Sequence, residues 1–314
     1  MGKGKCIVTG GAGFIGSHLC EQLLVMGYNV VCIDNLYTGS LDNIVHLKTN
    51  PDFSFLDYNV IAPLPESIRI DYLFHLASPA SVLAYQRLAV ETALVNSLGT
   101  HNLLKFVHRQ NARFLFASTS EIYGDPQIHP QPESYWGNVN PNGIRACYDE
   151  SKRFGEMLSK LYFRNFEIDT RIIRIFNTYG PRMQKTDGRI ISNFINQALA
   201  GEPITVYGDG NQTRSFCYVS DMVNGIVKAM FTEGLAGEVM NLGNPDEYRI
   251  IQIAEQIKKL TASKSSIVYK DLPEDDPTRR RPDISKAINL LHWQPVVDLE
   301  TGLKKTIKYY QSNA

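Results

Sequence analysis

Tyr148 and Lys152 stand four residues apart in the run Cys147-Tyr148-Asp149-Glu150-Ser151-Lys152-Arg153. On a helix that spacing puts both side chains on one face. An ammonium beside a phenol favours the phenolate, so the tyrosine pKa is expected to fall from about 10 toward the working pH. Such a hydroxyl can take the proton of an alcohol as hydride leaves the same carbon. The pair alone says little, because a tyrosine and a lysine often fall four apart by chance. Far upstream, however, Gly10-Gly11-Ala12-Gly13-Phe14-Ile15-Gly16 follows a short apolar run and opens a helical pattern. An acid, Asp34, follows about 20 residues on. Gly10 and Gly11 permit a tight turn, Gly13 lets a pyrophosphate approach the backbone, and Gly16 lets helix and strand pack closely. The helix N-terminus then meets the phosphates. No lysine follows Gly16, which excludes an NTPase phosphate loop. Together the two motifs point to alcohol–ketone chemistry on a nicotinamide dinucleotide.

Asp34 ends the second apolar run, where its carboxylate would accept hydrogen bonds from a ribose diol and repel a 2′-phosphate. No arginine adjoins it, so NAD is favoured over NADP. The plainer role for Asp34 is to cap the next turn. Asp57 ends the third run and either contacts the adenine edge or closes a strand-end turn.

These residues need a scaffold, and the apolar pattern supplies one. Strands are expected near residues 5–9, 30–33, 53–56, 72–75, 114–117 and 171–176. Helices are expected near 14–26, 87–108, 190–200, 221–231 and 250–260. Strand–helix alternation implies an α/β fold, a doubly wound parallel Rossmann sheet with helices on both faces. A smaller C-terminal α/β lobe would hold the substrate. The expected division is 1–176 for the cofactor and 177–314 for the substrate, with room for the chain to cross between them. Residues 124–144 and 271–282 read as ordered loops rather than linkers.

Composition narrows the partners. Of 314 residues, 43% are hydrophobic, enough for a large core, and 32 basic side chains balance 32 acidic ones. That balance leaves no electrostatic footprint for nucleic acid. Cys6, Cys20, Cys32, Cys147 and Cys217 are scattered, without a CxxC pair, and read as reduced thiols. The seven histidines show no metal-binding spacing, so no metal is expected. No apolar run reaches the roughly 18 residues of a membrane span. The first strand starts too early for a signal peptide, and a soluble cytoplasmic protein is expected.

The glycine turn, His75-Leu76-Ala77 and Tyr148-x-x-x-Lys152 together resemble the extended short-chain dehydrogenase/reductases, over essentially the whole chain. Further segments narrow this to a resemblance to the UDP-glucuronate decarboxylases, the UDP-xylose synthases. They are Leu76-Ala77-Ser78-Pro79-Ala80-Ser81, Ser118-Thr119-Ser120-Glu121-Ile122-Tyr123-Gly124-Asp125-Pro126 and Arg145-Ala146-Cys147-Tyr148-Asp149-Glu150. Asp187-Gly188-Arg189 with Ser192-Asn193-Phe194 belongs with them, as does Val206-Tyr207-Gly208-Asp209-Gly210 with Gln212-Thr213-Arg214-Ser215-Phe216. So does Pro273-Glu274-Asp275-Asp276-Pro277 running into Arg280-Arg281-Pro282-Asp283-Ile284. In related 4,6-dehydratases an aspartate follows the threonine and protonates a leaving hydroxyl. Here Ser120 stands there, as befits a reaction that expels no hydroxyl.

The resemblance implies conversion of UDP-glucuronate to UDP-xylose and CO2 through a 4-ketone, with tightly bound NAD recycled in the site. It implies catalytic roles for Tyr148, Lys152, Thr119, Glu121 and Arg280, with Ser120 in support. It places NAD against Gly10, Gly13, Phe14, Ile15, Gly16, Asp34, Asn35, Thr38, Gly39, Asp57, Leu76, Ala77, Tyr148, Lys152 and Arg189. It places the UDP-sugar against Asn177, Arg182, Asn193, Tyr207, Gln212, Arg214 and Arg280. Plainer roles stand beside these: Glu121 as a helix or turn cap, Arg280 as part of a solvated run, Tyr207 as a core aromatic, and Asp275 and Asp276 as loop ion-pair partners. His75 reads as a packed histidine rather than a base. Family members pair as homodimers through helices that correspond here to residues 87–108 and 148–163. The rival activities are a nucleotide-sugar 4-epimerase and an oxidative decarboxylase that releases the UDP-4-keto-pentose. A silent NAD sensor would be expected to lack Tyr148 or Lys152.

Overall fold

The computed structural model describes residues 3–272, 277 and 279–312. Six runs rich in β-branched and aromatic residues form β1 (Lys5–Thr9), β2 (Asn29–Asp34), β3 (Phe53–Asp57), β4 (Tyr72–His75), β5 (Arg113–Thr119) and β6 (Thr170–Ile175). They pair in parallel in the order β3-β2-β1-β4-β5-β6, and the strand Val239–Leu242 joins beyond β6 as the seventh. This is a doubly wound Rossmann sheet. Its order reverses between β1 and β4, so the loops leaving those strands diverge and open a crevice at their carboxyl ends.

A parallel sheet must be covered on both faces, and alternation along the strands does this here. Val8, Phe74 and Leu115 pack with Leu19 and Leu23 of α1 (Phe14–Val25) in one apolar layer. Their neighbours Ile7, Leu73, Phe114 and Phe116 pack into the other layer with Leu103 and Val107.

On that second face the sequence predicts one helix over 87–108. The structure shows instead α2 (Val82–Arg87), α3 (Ala89–Leu94), a π turn over Val95–Gly99, and α4 (Thr100–Gln110). Leu88, at φ −115° and ψ 46°, separates α2 from α3. Within the wide turn, Asn96 donates through Nδ2 to Ser78 Oγ (3.0 Å) and Ser151 Oγ (3.1 Å). The turn thereby ties the β4 loop to α5 (Ala146–Phe166), the helix that carries Tyr148 and Lys152. Single-residue π insertions recur where a helix serves a site.

The chain continues through α6 (Ile190–Ala200) and α7 (Val219–Phe231) before returning to the sheet at Val239–Leu242. The sheet therefore draws a strand from well beyond residue 176. Short pairings organise the remainder: Thr213–Ser215 runs antiparallel to Glu247–Arg249 and parallel to Arg279–Arg280. The two loops read from the sequence meet there. Gln131 N donates to Arg281 O, and Asp283 N donates to Gln131 O. Asp275 and Asp276 lie outside the described residues.

One close contact sets the height of α5 on the sheet. A Cβ at Gly155 would sit 2.4 Å from Cζ of Phe116, which is fully buried on β5. Alanine would gain about 1 kcal/mol of helix propensity but would overpack a seam that cannot yield, at about 1–3 kcal/mol. Gly155→Ala is therefore expected to lower stability by roughly 1 kcal/mol in urea unfolding. A more stable variant would show that the seam has slack.

Candidate active site

A cavity of ≈ 680 Å³ opens along the carboxyl ends of the strands. At one end lies the glycine turn. Gly10 has φ +71°, and a Cβ there would come within 2.8 Å of the Ala77 backbone, so the turn lies flush on the chain leaving β4. A Cβ at Gly16 would meet the Gly10 carbonyl oxygen at 2.1 Å. Gly13 caps α1 with no side-chain bond, and no acid stands in the first turn. The N–H groups there are left for an anion. Asp34 is buried on the same wall and accepts from Ala12 N (3.0 Å) and Leu36 N (2.8 Å). Burial raises its pKa, and these two bonds oppose the rise. A close turn, an uncapped helix start and an acid at the end of β2 fit a dinucleotide.

Phe14, Ile15, Asn35, Thr38, Leu76 and Ala77 line this end. Gly39 and Asp57 do not lie on the wall. Gly39 packs against the Asp34 carboxylate, where a Cβ would come within 2.9 Å of Oδ1. Asp57 is exposed at the end of β3, and the following residues Tyr58, Asn59 and Val60 take the wall instead.

In the middle of the cavity, β5 and α5 bring Thr119, Ser120, Glu121, Tyr148 and Lys152 together. Lys152 is 3% exposed and donates through Nζ to the Ala117 carbonyl at 2.8 Å. Its ammonium lies 5.0 Å from the Phe116 ring centroid and 5.8 Å from that of Tyr148. Burial lowers its pKa to about 7, against a smaller upward pull from Glu156. Tyr148 departs from the expectation of a lowered pKa. Burial pushes its phenol up, and a hydrogen bond with Thr119 only partly opposes this. The cause is desolvation, and the one hydrogen bond of the Lys152 ammonium runs to Ala117 O, not to the phenol. The Tyr148 ring is held in plane by Tyr85, stacked at 5.0 Å with 7° between the planes.

Glu121 is neither a cap nor solvated. Its carboxylate lies between Arg145 Nη2 (3.1 Å from Oε2) and Arg280 Nη1, which bonds Oε1. Burial alone would raise the Glu121 pKa, but Arg280 and then Arg145 outweigh it and hold it below the usual carboxylate range. Arg280 is 2% exposed, so it does not belong to a solvated run, and its Nη2 donates to Gly124 O at 3.1 Å. Asp149 adjoins this cluster, and its pKa is raised to about 8, first by burial and then by Glu121.

Asn177, Arg189, Asn193, Tyr207, Gln212 and Arg214 also line the cavity, with Arg189 near enough to act on the Tyr148 phenol and Arg214 on the Glu121 carboxylate. Tyr207 is 41% exposed, which removes the core-aromatic alternative. Gln212 donates to the Tyr207 carbonyl, Arg214 to Pro277 O (2.6 Å), and Arg189 to Asp187 (2.8 Å from Nη2 to Oδ2). Arg182, expected at the sugar nucleotide, lines the cavity, and its Nη2 donates to Glu21 Oε2 on α1 at 2.6 Å. His75 is packed, with Nδ1 2.8 Å from Thr9 Oγ1 and Nε2 3.1 Å from Thr100 Oγ1. Burial, helped by Lys152, pushes its pKa down to about 3.

Sequence reasoning gave no role to Tyr85, Arg145 or Asp149. Arg145 and Asp149 flank Tyr148 in the quoted motif, and charged residues beside a proposed base were a usable signal. Tyr85 had none, because stacking between two helices leaves no mark in the sequence.

The fold and this cavity define a nucleotide-dependent enzyme of the Rossmann class. The profile of the NAD dependent epimerase/dehydratase family matches residues 6–243, and the chain belongs to that family. It is 50% identical to UDP-glucuronic acid decarboxylase 1 of Danio rerio, over 98% of this chain and 72% of that one. It is also 50% identical to UDP-glucuronic acid decarboxylase 3 of Arabidopsis thaliana, over 95% of this chain and 86% of that one. Among solved structures, it matches UDP-glucuronic acid 4-epimerase from Bacillus cereus in complex with UDP-glucuronic acid and NAD. That match has TM-score 0.91 and 31% identity, covering 99% of this chain and 100% of that one.

The buried ammonium makes stability depend on pH. Lys152 has a folded pKa near 7 against 10.5 for the free side chain. Below pH 7 the folded state bears the full cost of the buried charge. Between pH 7 and 10.5 the unfolded chain binds the extra proton, so stability rises with pH across that window. Lys152→Met is expected to flatten this rise and to stabilise the NAD-free chain at pH 6 by at least about 1.4 kcal/mol, one pKa unit's worth. A variant that keeps the rise in urea titrations would assign it to another group.

Proposed function

We propose that this protein decarboxylates UDP-glucuronate to UDP-xylose through a 4-keto intermediate. The observation that carries the reading is Glu121 held between Arg145 and Arg280 on the wall that presents Tyr148, with Ser120 rather than an acid beside it. Two cations around one carboxylate suit a site that handles an acidic sugar. The lack of an acid at Ser120 suits a reaction that expels no hydroxyl. The two decarboxylases at 50% identity support the same reading.

Tyr148 takes the proton of the C4 hydroxyl, and Thr119 steadies the oxygen. Lys152, one turn along α5, supports the developing phenolate. Gly10, Gly13, Gly16 and Asp34 would hold NAD, which when bound would accept the C4 hydride and later return it. The ketone then stands β to the C6 carboxylate, so loss of CO2 leaves a charge that delocalises as an enolate. Glu121 and Arg280 serve the ring hydroxyl and carboxylate end, and C5 then takes a proton from solvent water. Asn177, Arg214, Tyr207 and Gln212 place the UDP group, with Arg189 and Asn193 nearby.

The division into a cofactor lobe and a substrate lobe is part of this proposal, with Val239–Leu242 counted in the cofactor lobe. So is a homodimer. Val90, Leu94 and Leu98, and Phe154, Met157 and Leu161, are exposed at helical spacing on the two segments expected at the seam. Free thiols at Cys6, Cys20, Cys32, Cys147 and Cys217 accord with the cytoplasm. Among the described residues no helix is long and apolar enough to cross a membrane.

Three variants test these assignments. Tyr148→Phe is expected to cut turnover by about 10²–10⁴-fold while NAD stays bound; near-normal turnover would remove Tyr148 from its role. Arg280→Ala is expected to slow ¹³CO2 release from C6-labelled UDP-glucuronate by about 10²-fold or more, with UDP affinity little changed. A fall in UDP affinity alone would make Arg280 a binding residue, and no CO2 from the unmodified protein would favour the epimerase. Met157→Glu is expected to give a single-chain mass by light scattering, and a persistent dimer would move the interface elsewhere.

A further inference from the structure

Arg182, Met183 and Gln184 line the cavity, and residues 181–184 make hydrogen bonds to α1 and to the segment that follows β2. The Pro181 carbonyl meets His18 Nε2 at 3.0 Å, and Arg182 Nη2 donates to Glu21 Oε2 at 2.6 Å. Arg182 Nη2 also lies 3.3 Å from His46 Nε2, and Gln184 Nε2 donates to the Thr38 carbonyl at 2.8 Å. Behind the segment, Tyr310 Oη donates to the Met183 carbonyl at 2.8 Å and anchors it. His18 and Glu21 belong to α1, whose first turn faces the phosphate position. Thr38 belongs to the loop that leaves Asp34. The segment thus bridges the two elements between which a dinucleotide would lie, and Arg182, Met183 and Gln184 line the cavity there together with Gly13 and Thr38. Arg182 adopts φ +67°, a left-handed backbone that an arginine keeps only where its surroundings dictate it.

We propose that residues 181–184 are a strap across the bound dinucleotide, latched by the Arg182–Glu21 ion pair, and that this latch limits how fast NAD leaves. The inference rests on the reading above, in which the cofactor must stay through both hydride transfers. An isolated exposed ion pair contributes little. Here the Arg182 side chain is 16% exposed and that of Glu21 42%, so solvent screens the pair in part, but its bond is one of several across the same gap, and they must break together for the strap to lift.

Glu21 does not line the cavity, so removing its carboxylate opens the latch without touching a ligand. The experiment follows release of a fluorescent etheno-NAD, chased by unlabelled NAD, from the full-length protein in the absence of any sugar nucleotide. Glu21→Ala and Arg182→Ala are each expected to speed release by about fivefold. The double variant should be no faster than the faster single one, because both break the same pair. UDP affinity should be unchanged, and Glu21→Gln should behave as Glu21→Ala does. Wild-type release from both Glu21 variants would overturn the latch. So would a loss of UDP affinity in Arg182→Ala with NAD release unchanged, which would make Arg182 a substrate residue. Release is read without turnover, so failure of the decarboxylase reading would appear separately, as absent CO2.

Discussion

The ammonium of Lys152 is buried under the cavity floor, hydrogen-bonded to the Ala117 carbonyl and resting over the Phe116 ring. A buried cation is costly unless it is paired and hydrogen-bonded, and this one is tolerated through its bond to Ala117. The surroundings here are the end of β5 and the first half of α5, pressed together where Gly155 leaves room for Phe116. That contact fixes the height of α5, and with it Tyr148, which stands one turn before Lys152 and bonds Thr119 at the strand end. Thr119, Tyr148 and Lys152, the groups at the oxidised carbon in the proposed reaction, hang from this seam. The Asn96 bonds from the π turn and the Tyr85 stack brace it from the far side.

The electrostatics of the site follow from burial more than from pairing. Tyr148 is raised and Lys152 is lowered, both chiefly by desolvation. Burial thus outweighs the pull of the nearby ammonium on the phenol. The value of that ammonium lies in being close, fixed and able to lose or keep a proton near neutrality. A few residues away the balance reverses. Glu121 stays ionised despite its burial because two guanidiniums face it. The cavity thus sets a buried Tyr–Lys pair beside a fixed-charge Glu–Arg cluster, an arrangement suited to oxidation at one carbon and charge handling at the next.

Much of the fold was legible because parallel strands are buried on both faces and read as apolar runs. β1 to β6 fall close to where those runs lie. The break of 87–108 into α3, a π turn and α4 was not legible, since one inserted residue hardly disturbs a helical period. Nor were the pairings of Thr213–Ser215 with Glu247–Arg249 and Arg279–Arg280, because strands of two or three residues are too short to show alternation. In the site, motif residues such as Thr119, Tyr148 and Arg280 lie on one cavity wall. Tyr85 escaped notice because its meaning arises only from what it stacks on. Arg182 was read with its motif, whereas its partner Glu21 lies 161 positions away.

The most direct test of the central claim is to incubate the purified protein with UDP-glucuronate in D2O, without added NAD, and follow the products by NMR and ultraviolet absorbance. The account predicts UDP-xylose with one deuterium at C5 and no accumulating NADH, because hydride returns to C4 after the carbanion is quenched by solvent. Accumulation of NADH with a UDP-4-keto-pentose, or an intact carboxylate with an inverted C4, would contradict it.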